Sequence, residues 1–404
     1  MKKVSEFIKD NLGKTVRTVS KDSGTYIGLP NPFSVPSVNG CFQEMYYWDT
    51  YFINVGLIAD GYTEQAKNNC DNLKFLVDRY GFIPNASRTY YLTRSQPPYF
   101  AFAVKDLEDF YAIEELKSVY KSIKREYLWW NANRTTAIGL NRYGDNGVSD
   151  ELYAESSAYA KERIEVPDGT DEIELGKDHF AVCESGWDCS PRFGQVTGCK
   201  DSCPVDLNSN LFFYETYLGY LQKKLGIEDG ENWTEKSENR KNLVNKYLWN
   251  EEKSVFFDYN FVTGKQSEVV SCAAFQPYFV KMVGSDKTGG LKNLYKRLMK
   301  KCGLAATDKD YGKYQWSYPN GWANLHYIAY VALKNYGLYK EARELASKYT
   351  ALVEKNFERT GCLWEKYNVV SSGEEPLSEY KTPEMLGWTA GVYEYLKGEL
   401  CVSE

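Results

Sequence analysis

Two stretches of the sequence, far apart in the chain, each place a carboxylate beside an aromatic residue. Asp188 follows Gly186 and Trp187, and Glu365 follows Trp364. Cleavage of a glycosidic bond needs two carboxyl groups, because one protonates the departing oxygen while the other, ionised, activates water or attacks carbon. Together the two stretches indicate glycosidase chemistry, whereas either one alone is more typical of a surface carboxylate next to a core aromatic.

Residue types that other chemistries need are scarce. Only two histidines occur, His179 and His326, which leaves little room for a Ser-His-Asp arrangement or a multi-histidine metal site. Four cysteines cluster between residues 183 and 203, but their spacing fits no standard zinc pattern. No Gly-x-Gly-x-x-Gly or Walker-type loop is present. We therefore expect neither a metal nor a cofactor.

The composition predicts a globular chain with a neutral, polar ligand. Its 404 residues are 43% apolar and 26% charged, so we expect one domain over residues 1–404, with 1–30 as a lead-in segment. A net charge of −6 without a basic patch argues against nucleic acid as a partner. The 34 tyrosines and 10 tryptophans suit the faces of a small carbohydrate, although a tyrosine-rich core is the simpler explanation for most of them.

The sequence also carries signals about its compartment. It contains no run of about eighteen apolar residues, so we expect no membrane span. Residues 1–7 lack the apolar character of a signal peptide, and the ten cysteines are irregularly spaced. These features predict a cytoplasmic protein with reduced thiols and leave its oligomeric state open.

Hydrophobic periodicity predicts a mostly helical chain. In residues 63–79 and 338–353 the apolar side chains form a one-sided stripe next to a glycine. Similar patterns occur at 48–59, 98–122, 207–225, 232–248, 273–283, 291–299, 322–335 and 384–397, and the main strand candidate is 254–261. We expect an all-α domain of repeated helical hairpins, with an irregular, partly acidic insert at 143–178.

The residues suited to sugar chemistry fall between the predicted helices. Aromatic, amide and carboxylate residues are dense in the segments 36–51, 80–98, 182–209, 314–322 and 365–388. Loops that gather at one end of a ring of helical hairpins would form a polar, aromatic pocket there.

In these five segments the chain resembles the trehalases, glycoside hydrolase family 37, and more distantly the α-glucosidases of family 63. The resemblance runs from about residue 30 to residue 395, with the motifs in family order. The motifs are FQEMYYWDTY (42–51), YGFIPN (80–85), YYLTRSQPP (90–98), ESGWD (184–188), PVDLNS (204–209), QWSYPNGW (315–322), EKY (365–367) and GWT (387–389). The resemblance implies an (α/α)6 toroid with the site at one mouth.

The same resemblance assigns roles to the two carboxylates. Asp188 matches the general acid and Glu365 the general base of an inverting hydrolase. Such a pair stands roughly 6.5–9.5 Å apart to admit a water, and loops from opposite halves of a toroid can face each other in this way. Burial beside Trp187 is expected to keep the acid protonated. Lys366 is a candidate for keeping the base ionised, provided that the adjacent side chains do not point apart.

The resemblance further implies a subsite for the cleaved glucose. Its residues would be Trp48, Asp49, Asn85, Arg94, Gly186, Gln315, Trp316 and Glu379, with Phe42 and Trp388 as walls. Carboxylate and guanidinium groups suit sugar hydroxyls, because they accept and donate two hydrogen bonds at once. Two alternatives stay open: Asp49 is also placed to cap a helix, and Trp316 and Trp388 are equally typical of core packing.

Departures from the family pattern concern the leaving group. Trehalases have an arginine where this chain has Cys41, and a second arginine in a region that here, at 150–156, has none. In addition, Ser317 replaces an aspartate, Asn324 replaces a proline, and residues 371–375 replace a glycine-rich loop. Each lost charged hydrogen bond to a buried hydroxyl costs roughly 1.5–3 kcal/mol. The cleaved-sugar subsite is therefore expected to be kept and the leaving-group subsite changed.

The leading interpretation is an inverting, exo-acting α-glucoside hydrolase that releases glucose from trehalose or a related small α-glucoside. One alternative is a hydrolase for another disaccharide or for a glucosylglycerate- or mannosylglycerate-type substrate. A non-catalytic sugar-binding protein is an alternative of a different class, and the presence of both Asp188 and Glu365 argues against it. A phosphorolytic enzyme would need a phosphate site in place of Glu365.

Overall fold

The computed structural model describes residues 3–194, 198–312, 314–372, 376, 381–384 and 386–402, and it is mostly helical. The α-helices in this part of the chain are α1 (Val4–Leu12), α2 (Tyr47–Ala59), α3 (Thr63–Tyr80), α4 (Phe100–Asp106), α5 (Ile113–Arg134), α6 (Asp150–Lys161), α7 (Glu172–Ser185), α8 (Val205–Leu225), α9 (Trp233–Tyr247), α10 (Gln276–Phe279), α11 (Thr288–Leu298), α12 (Ala323–Asn335), α13 (Tyr339–Thr360) and α14 (Trp388–Val402). None of these helices is both long and apolar enough to cross a membrane.

The helices differ in how much of their surface is buried. Helix α3 buries a stripe that includes Ala66, Leu73 and Val77 and leaves its other face in solvent, and α13 follows the same pattern. In contrast, α2 is buried on all sides from Tyr47 to Leu57, and α12 is buried over most of its length. Helices that are apolar on every face lie between other elements. We conclude that α2 and α12 are internal and α3 and α13 peripheral.

The contacts between helices follow a regular order. Helix α2 contacts α4, α4 contacts α8, α8 contacts α10, α10 contacts α12, α12 contacts α14, and α14 contacts α2 again. A second set packs against these helices, with α3 on α2, α5 and α9 on α8, and α13 on α12. Many of these pairs are consecutive in the chain, as expected of helical hairpins.

The strands are short, and most join loops next to the helices. They are β1 (Val16–Arg17), β2 (Phe33–Ser34), β3 (Ser202–Cys203), β4 (Trp249–Asn250), β5 (Val255–Phe256), β6 (Tyr259–Asn260), β7 (Lys265–Gln266), β8 (Asn320–Trp322) and β9 (Lys366–Asn368). The single strand predicted at 254–261 is divided into two short strands in different sheets, with β5 paired to β4 and β6 between β3 and β7. The antiparallel pair β8–β9 is fully buried and pairs Trp322 with Lys366, directly after Glu365.

One prediction from the sequence is wrong. The stretch 143–178 is not an irregular insert, because it contains α6 and the first half of α7, which pack tightly against each other. Gly176 makes that packing possible: a Cβ atom there would lie 2.1 Å from the carbonyl oxygen of Tyr153. Each helix also has a capping side chain, Ser149 for α6 and Asp171 for α7. The partly acidic sequence of this stretch shows no clear apolar stripe, so hydrophobic periodicity did not predict the two helices.

Three helix predictions differ from the structure at their boundaries. The pattern at 98–122 is split between α4 and α5, and α5 extends to Arg134. At 273–283 only the single turn of α10 is α-helical. The last pattern, at 384–397, begins as a helix only at Trp388. In each case the apolar pattern of the sequence runs across the boundary of the α-helix, and periodicity does not mark the break.

Candidate active site

Loops from all five aromatic segments meet at one cavity of about 130 Å³. The lining residues are Phe42, Tyr46, Trp48, Asp49, Asn85, Tyr91, Arg94, Gln96, Cys183, Gly186, Asp188, Gln315, Trp316, Trp322, Glu365 and Trp388. Three carboxyl groups, one guanidinium group and several aromatic rings therefore face the same space. Such a mixture of flat apolar surface and converging polar groups is typical of a binding site for a small polar ligand.

Asp188 lies just beyond the end of α7, where the chain enters the cavity. Its Oδ1 atom is buried and has no hydrogen-bond partner in the protein. Burial raises the pKa of Asp188 to about 6, with the charge of Glu365 adding to the rise and Arg94 and Arg163 opposing it. A carboxyl group with this pKa carries a proton over part of the neutral range and has an oxygen available for a ligand.

Gly186 is the residue that turns the chain from α7 towards Asp188. It ends the helix in the left-handed conformation, with φ at +70°, and a Cβ atom there would lie 2.8 Å from the Trp48 ring. A side chain at position 186 would therefore be strained by the backbone conformation and would also displace an aromatic wall of the cavity.

We expect Gly186→Ala to lower kcat/KM by about tenfold or more, because small displacements of reacting groups are costly. The matched control is Gly226→Ala at the end of α8, which has φ at +62° and no atom near the added Cβ. Both variants lose roughly 1–2 kcal/mol of stability from the left-handed conformation, but the control keeps its kcat/KM. Equal kcat/KM in the two variants would contradict the contact with Trp48.

A buried ion pair stabilises the end of α7, next to the turn at Gly186. Glu184 is fully buried, and its two oxygens accept hydrogen bonds from Arg134 Nε and Nη2, both at 2.8 Å. They also accept bonds from the backbone N–H groups of Ser95, at 2.9 Å, and Gly144, at 2.7 Å. The carboxylate thus ties the end of α7 to the loop that carries Arg94, and all of its bonds are charge-assisted.

Glu365 lines the same cavity as Asp188 but lies far from it in the sequence, directly before β9. It is 3% exposed, and its Oε2 atom lies 2.6 Å from Nζ of Lys366. Its backbone is fixed by Trp388, whose Nε1 donates a hydrogen bond of 3.0 Å to the Glu365 carbonyl oxygen. The adjacent side chains of Glu365 and Lys366 thus meet instead of pointing apart.

Asp49 is the third carboxyl group of the cavity. It lies in the first turn of α2, whose N-cap position is occupied by Tyr46. Burial, followed by the charges of Glu365 and Asp188, raises the pKa of Asp49 to about 8. Asp49 is therefore mainly protonated at neutral pH and able to donate a hydrogen bond as well as accept one.

Five tryptophans form a continuous cluster at the cavity. The rings of Trp316 and Trp322 are stacked, with centroids 3.7 Å apart and an angle of 1° between their planes. Trp48, Trp187 and Trp388 contact Trp316 at centroid distances of 5.6, 5.1 and 6.3 Å. Trp316 and Trp388 are buried and also line the cavity, so packing and ligand contact are compatible roles for them.

Several buried polar atoms at the cavity have no partner within the protein. They are Nε of Arg94, Oδ1 of Asp188 and Oε1 of Gln315. A buried polar atom without a hydrogen bond costs about 1–3 kcal/mol. Three such atoms around one cavity indicate a site whose hydrogen bonds are completed by a ligand with hydroxyl groups.

Eleven of the twelve predicted site residues line this cavity, and the twelfth, Glu379, lies outside the described residues. The five lining residues that the sequence analysis did not select are Tyr46, Tyr91, Gln96, Cys183 and Trp322. All but Cys183 fall inside the motifs quoted above, so their position in a motif was an available signal. Gln96 is one example: its Oε1 accepts the backbone N–H of Trp48 at 3.1 Å.

Three departures from the family pattern are not among the residues that line the cavity, namely Cys41, Ser317 and Asn324. Cys41 is exposed, next to Phe42. Ser317 is buried and its hydroxyl is 2.8 Å from that of Thr307. Asn324 is buried in the first turn of α12, where its Oδ1 accepts a 2.9 Å hydrogen bond from the N–H of Leu325. The replacement at Ser317 is thus accommodated structurally, and residues 373–375 lie outside the described residues.

Comparison with known proteins shows the family of the chain. The trehalase family model matches residues 1–399. The periplasmic trehalase of an Escherichia coli O1:K1 strain is 32% identical over an aligned length of 402 residues, which covers 93% of this chain and 70% of the relative. The chain therefore belongs to the trehalase family of glycoside hydrolases. This membership favours hydrolysis over the sugar-binding alternative.

Solved structures agree as well. The neutral trehalase Nth1 from Saccharomyces cerevisiae is 26% identical with a TM-score of 0.77, over 98% of this chain and 79% of that chain. A family 63 mannosylglycerate hydrolase from Thermus thermophilus, in complex with glucose, has a TM-score of 0.66 at 17% identity, over 98% of this chain and 100% of that chain. The second likeness is one of fold.

Proposed function

We propose that this protein hydrolyses the glycosidic bond of trehalose with inversion, with Asp188 as general acid and Glu365 as general base. The observation that carries the proposal is the presence of both carboxyl groups in one cavity with unmet polar atoms on Arg94 and Gln315. Membership of the trehalase family and the names of its relatives support trehalose as the substrate.

The proposed reaction is a single displacement. Asp188 gives its proton to the glycosidic oxygen as the bond to C1 breaks, and a water molecule attacks C1 from the opposite face. Glu365 takes a proton from that water. The products are β-glucose from the attacked ring and the free leaving-group sugar, with Asp188 ionised and Glu365 protonated until they exchange protons with solvent.

Electrostatics support this division of roles. Asp188 is buried with one oxygen unpaired, and burial raises its pKa to about 6, which favours the protonated form needed by an acid. Glu365 forms an ion pair with the ammonium group of Lys366 at 2.6 Å, so its surroundings differ from those of Asp188. Two carboxyl groups with opposite surroundings are the usual sign of an acid and a base in one site.

The direct test is proton NMR of the anomeric signals from the first minute of reaction with trehalose. We expect β-glucose to appear before mutarotation and α-glucose to appear from the leaving group. Prompt release of only α-glucose would contradict inversion. Absence of product from trehalose and from every α-glucoside tried, with a folded protein, would contradict the proposed activity.

The leaving group is tested in the same experiment by changing the substrate. The missing arginine at Cys41, and the lack of one at 150–156, favour the second candidate, an α-glucoside whose leaving group is not glucose. A panel of glucosylglycerate, mannosylglycerate and neutral disaccharides separates the two. If trehalose is inert and another α-glucoside gives β-glucose, the cleavage subsite is as proposed and the leaving-group subsite differs.

The pH dependence follows from the pKa of the acid. Because Asp188 must be protonated and burial raises its pKa to about 6, kcat/KM is expected to fall as the pH rises above about 6. A plot of kcat/KM against pH from about 4 to about 9 measures this decrease. If kcat/KM stays constant across the upper half of that range, a group with this pKa is not the acid.

We also propose the (α/α)6 toroid and a single domain for the chain. The closed series of contacts from α2 through α4, α8, α10, α12 and α14 back to α2, with other helices packed outside, supports the toroid. We propose a reducing compartment such as the cytoplasm, on the irregular spacing of the ten cysteines in the sequence. We propose a small carbohydrate as the ligand, not nucleic acid.

A further inference from the structure

The lysine that follows the proposed base is buried, which is unusual for this residue type. The side chain of Lys366 is 0% exposed and that of Glu365 is 4% exposed, and their charged atoms are 2.6 Å apart. Removing an ammonium group from water is costly unless a partner of opposite charge compensates. Such an ion pair is common at a protein surface, but this one lies inside the protein, next to the cavity.

The position of Lys366 is fixed by the wall of the same cavity. Strand β9 pairs with β8 so that Lys366 lies opposite Trp322. The ammonium nitrogen lies 4.8 Å from the centroid of the Trp322 ring, within the range of a cation–π interaction. The Trp322 ring is also stacked on Trp316, which lines the cavity. The Trp322 ring thus contacts Lys366 and, together with Trp316, forms part of the cavity wall.

Glu365 has acidic groups near it. Its charge acts on Asp49, from α2, and on Asp188, from the loop after α7, and also on the thiol of Cys41. Like charges in a buried site repel one another. Lys366 is a cation in direct contact with Glu365, and its charge offsets this repulsion.

We propose that Lys366 is a positioning residue that holds the Glu365 carboxylate through its ion pair, offsets the acidic groups around it and directs it towards the attacking water. The proposal rests on the proposed function, because it assumes that Glu365 is the base. The lysine itself is absent from the cavity lining, so it acts on the reaction through Glu365 and through its place against Trp322.

The test uses Lys366→Met, which removes the charge and keeps a long apolar side chain, and Lys366→Arg, which keeps the charge. For Lys366→Met we expect kcat to fall by about tenfold to a hundredfold. The acid limb of the pH profile is the fall in kcat at low pH, where the base becomes protonated. We expect this limb to move to higher pH by about one to three units. KM is expected to change by less than about threefold, because the lysine does not contact the sugar. Lys366→Arg is expected to retain the wild-type acid limb.

The matched control is Lys74→Met. Lys74 forms an ion pair of the same length, 2.6 Å, with Asp78 on the outer helix α3, where both side chains are partly exposed. This variant is expected to have wild-type kcat and pH profile. Circular dichroism and thermal unfolding of every variant show whether each is folded before its kinetics are compared.

Two results would overturn the proposal. One is a folded Lys366→Met enzyme whose kcat is within about threefold of wild type and whose acid limb has not moved. The other is an equal loss of kcat in Lys366→Met and Lys366→Arg with an unchanged acid limb, which identifies a packing role only. If Glu365→Gln is itself fully active, the proposed function fails; if Glu365→Gln is inactive and Lys366→Met is normal, only this inference fails.

Discussion

Asp188→Asn is expected to lower kcat for trehalose by about a thousandfold, within the range that general acid catalysis contributes. Asparagine has the same shape but no proton to give to the departing oxygen. The loss depends on the leaving group. The fluoride ion that leaves α-glucosyl fluoride needs little protonation. We therefore expect the same variant to hydrolyse α-glucosyl fluoride within about tenfold of the wild-type rate. The measurement is kcat for both substrates at one pH.

A control for this variant is Asp178→Asn, ten residues earlier in the chain. Asp178 is also buried on α7, and burial raises its pKa to about 6 as it does for Asp188. Its Oδ1 accepts hydrogen bonds from the N–H groups of Gly198 and Lys200, which an asparagine oxygen can also accept. We expect wild-type kcat from this control. Equal losses of Asp188→Asn on both substrates would argue that Asp188 is not the acid.

The sequence supports prediction of the site better than of the fold around it. The positions of Asp188, Glu365 and Gln315 were predictable, because each lies in a motif with a fixed order of aromatic and polar residues. Their convergence on one cavity follows from the hairpin arrangement, in which successive loops return to the same end. In contrast, the pairing of Glu365 with Lys366 depends on the register of β8 and β9, which sequence spacing alone does not determine.

The missed helices show a different limit. Residues 150–161 and 172–185 form α6 and α7, although their composition is mainly polar. Helix α6 buries few residues, and the residues that α7 buries are polar as well as apolar, so neither helix has a clear apolar stripe. The remaining signals are the caps Ser149 and Asp171. Capping residues are common in loops too, and a cap without a wide apolar stripe is a weak indication of a helix. Tertiary packing therefore determines that these two segments are helical.

The second large effect is expected for Glu365→Gln, which removes the base and keeps the shape of the side chain. We expect kcat to fall by about a thousandfold for trehalose and also for α-glucosyl fluoride, because both substrates need an activated water. Azide is a nucleophile that needs no base. Added azide is therefore expected to restore turnover of α-glucosyl fluoride in this variant, with β-glucosyl azide as the product, since attack comes from the face opposite the departing fluoride.

The two variants together separate the two roles. Azide replaces the activated water and supplies no proton, so it restores Glu365→Gln but does not raise the low rate of Asp188→Asn on trehalose. Product analysis by proton NMR distinguishes β-glucosyl azide from its α-anomer. The test for a retaining mechanism is Asp188→Asn, which keeps Glu365, with α-glucosyl fluoride and azide: an α-azide product from that variant would mean that the reaction passes through a covalent intermediate on Glu365. We expect no α-azide, because in the proposed reaction Glu365 takes a proton from water and forms no bond to C1.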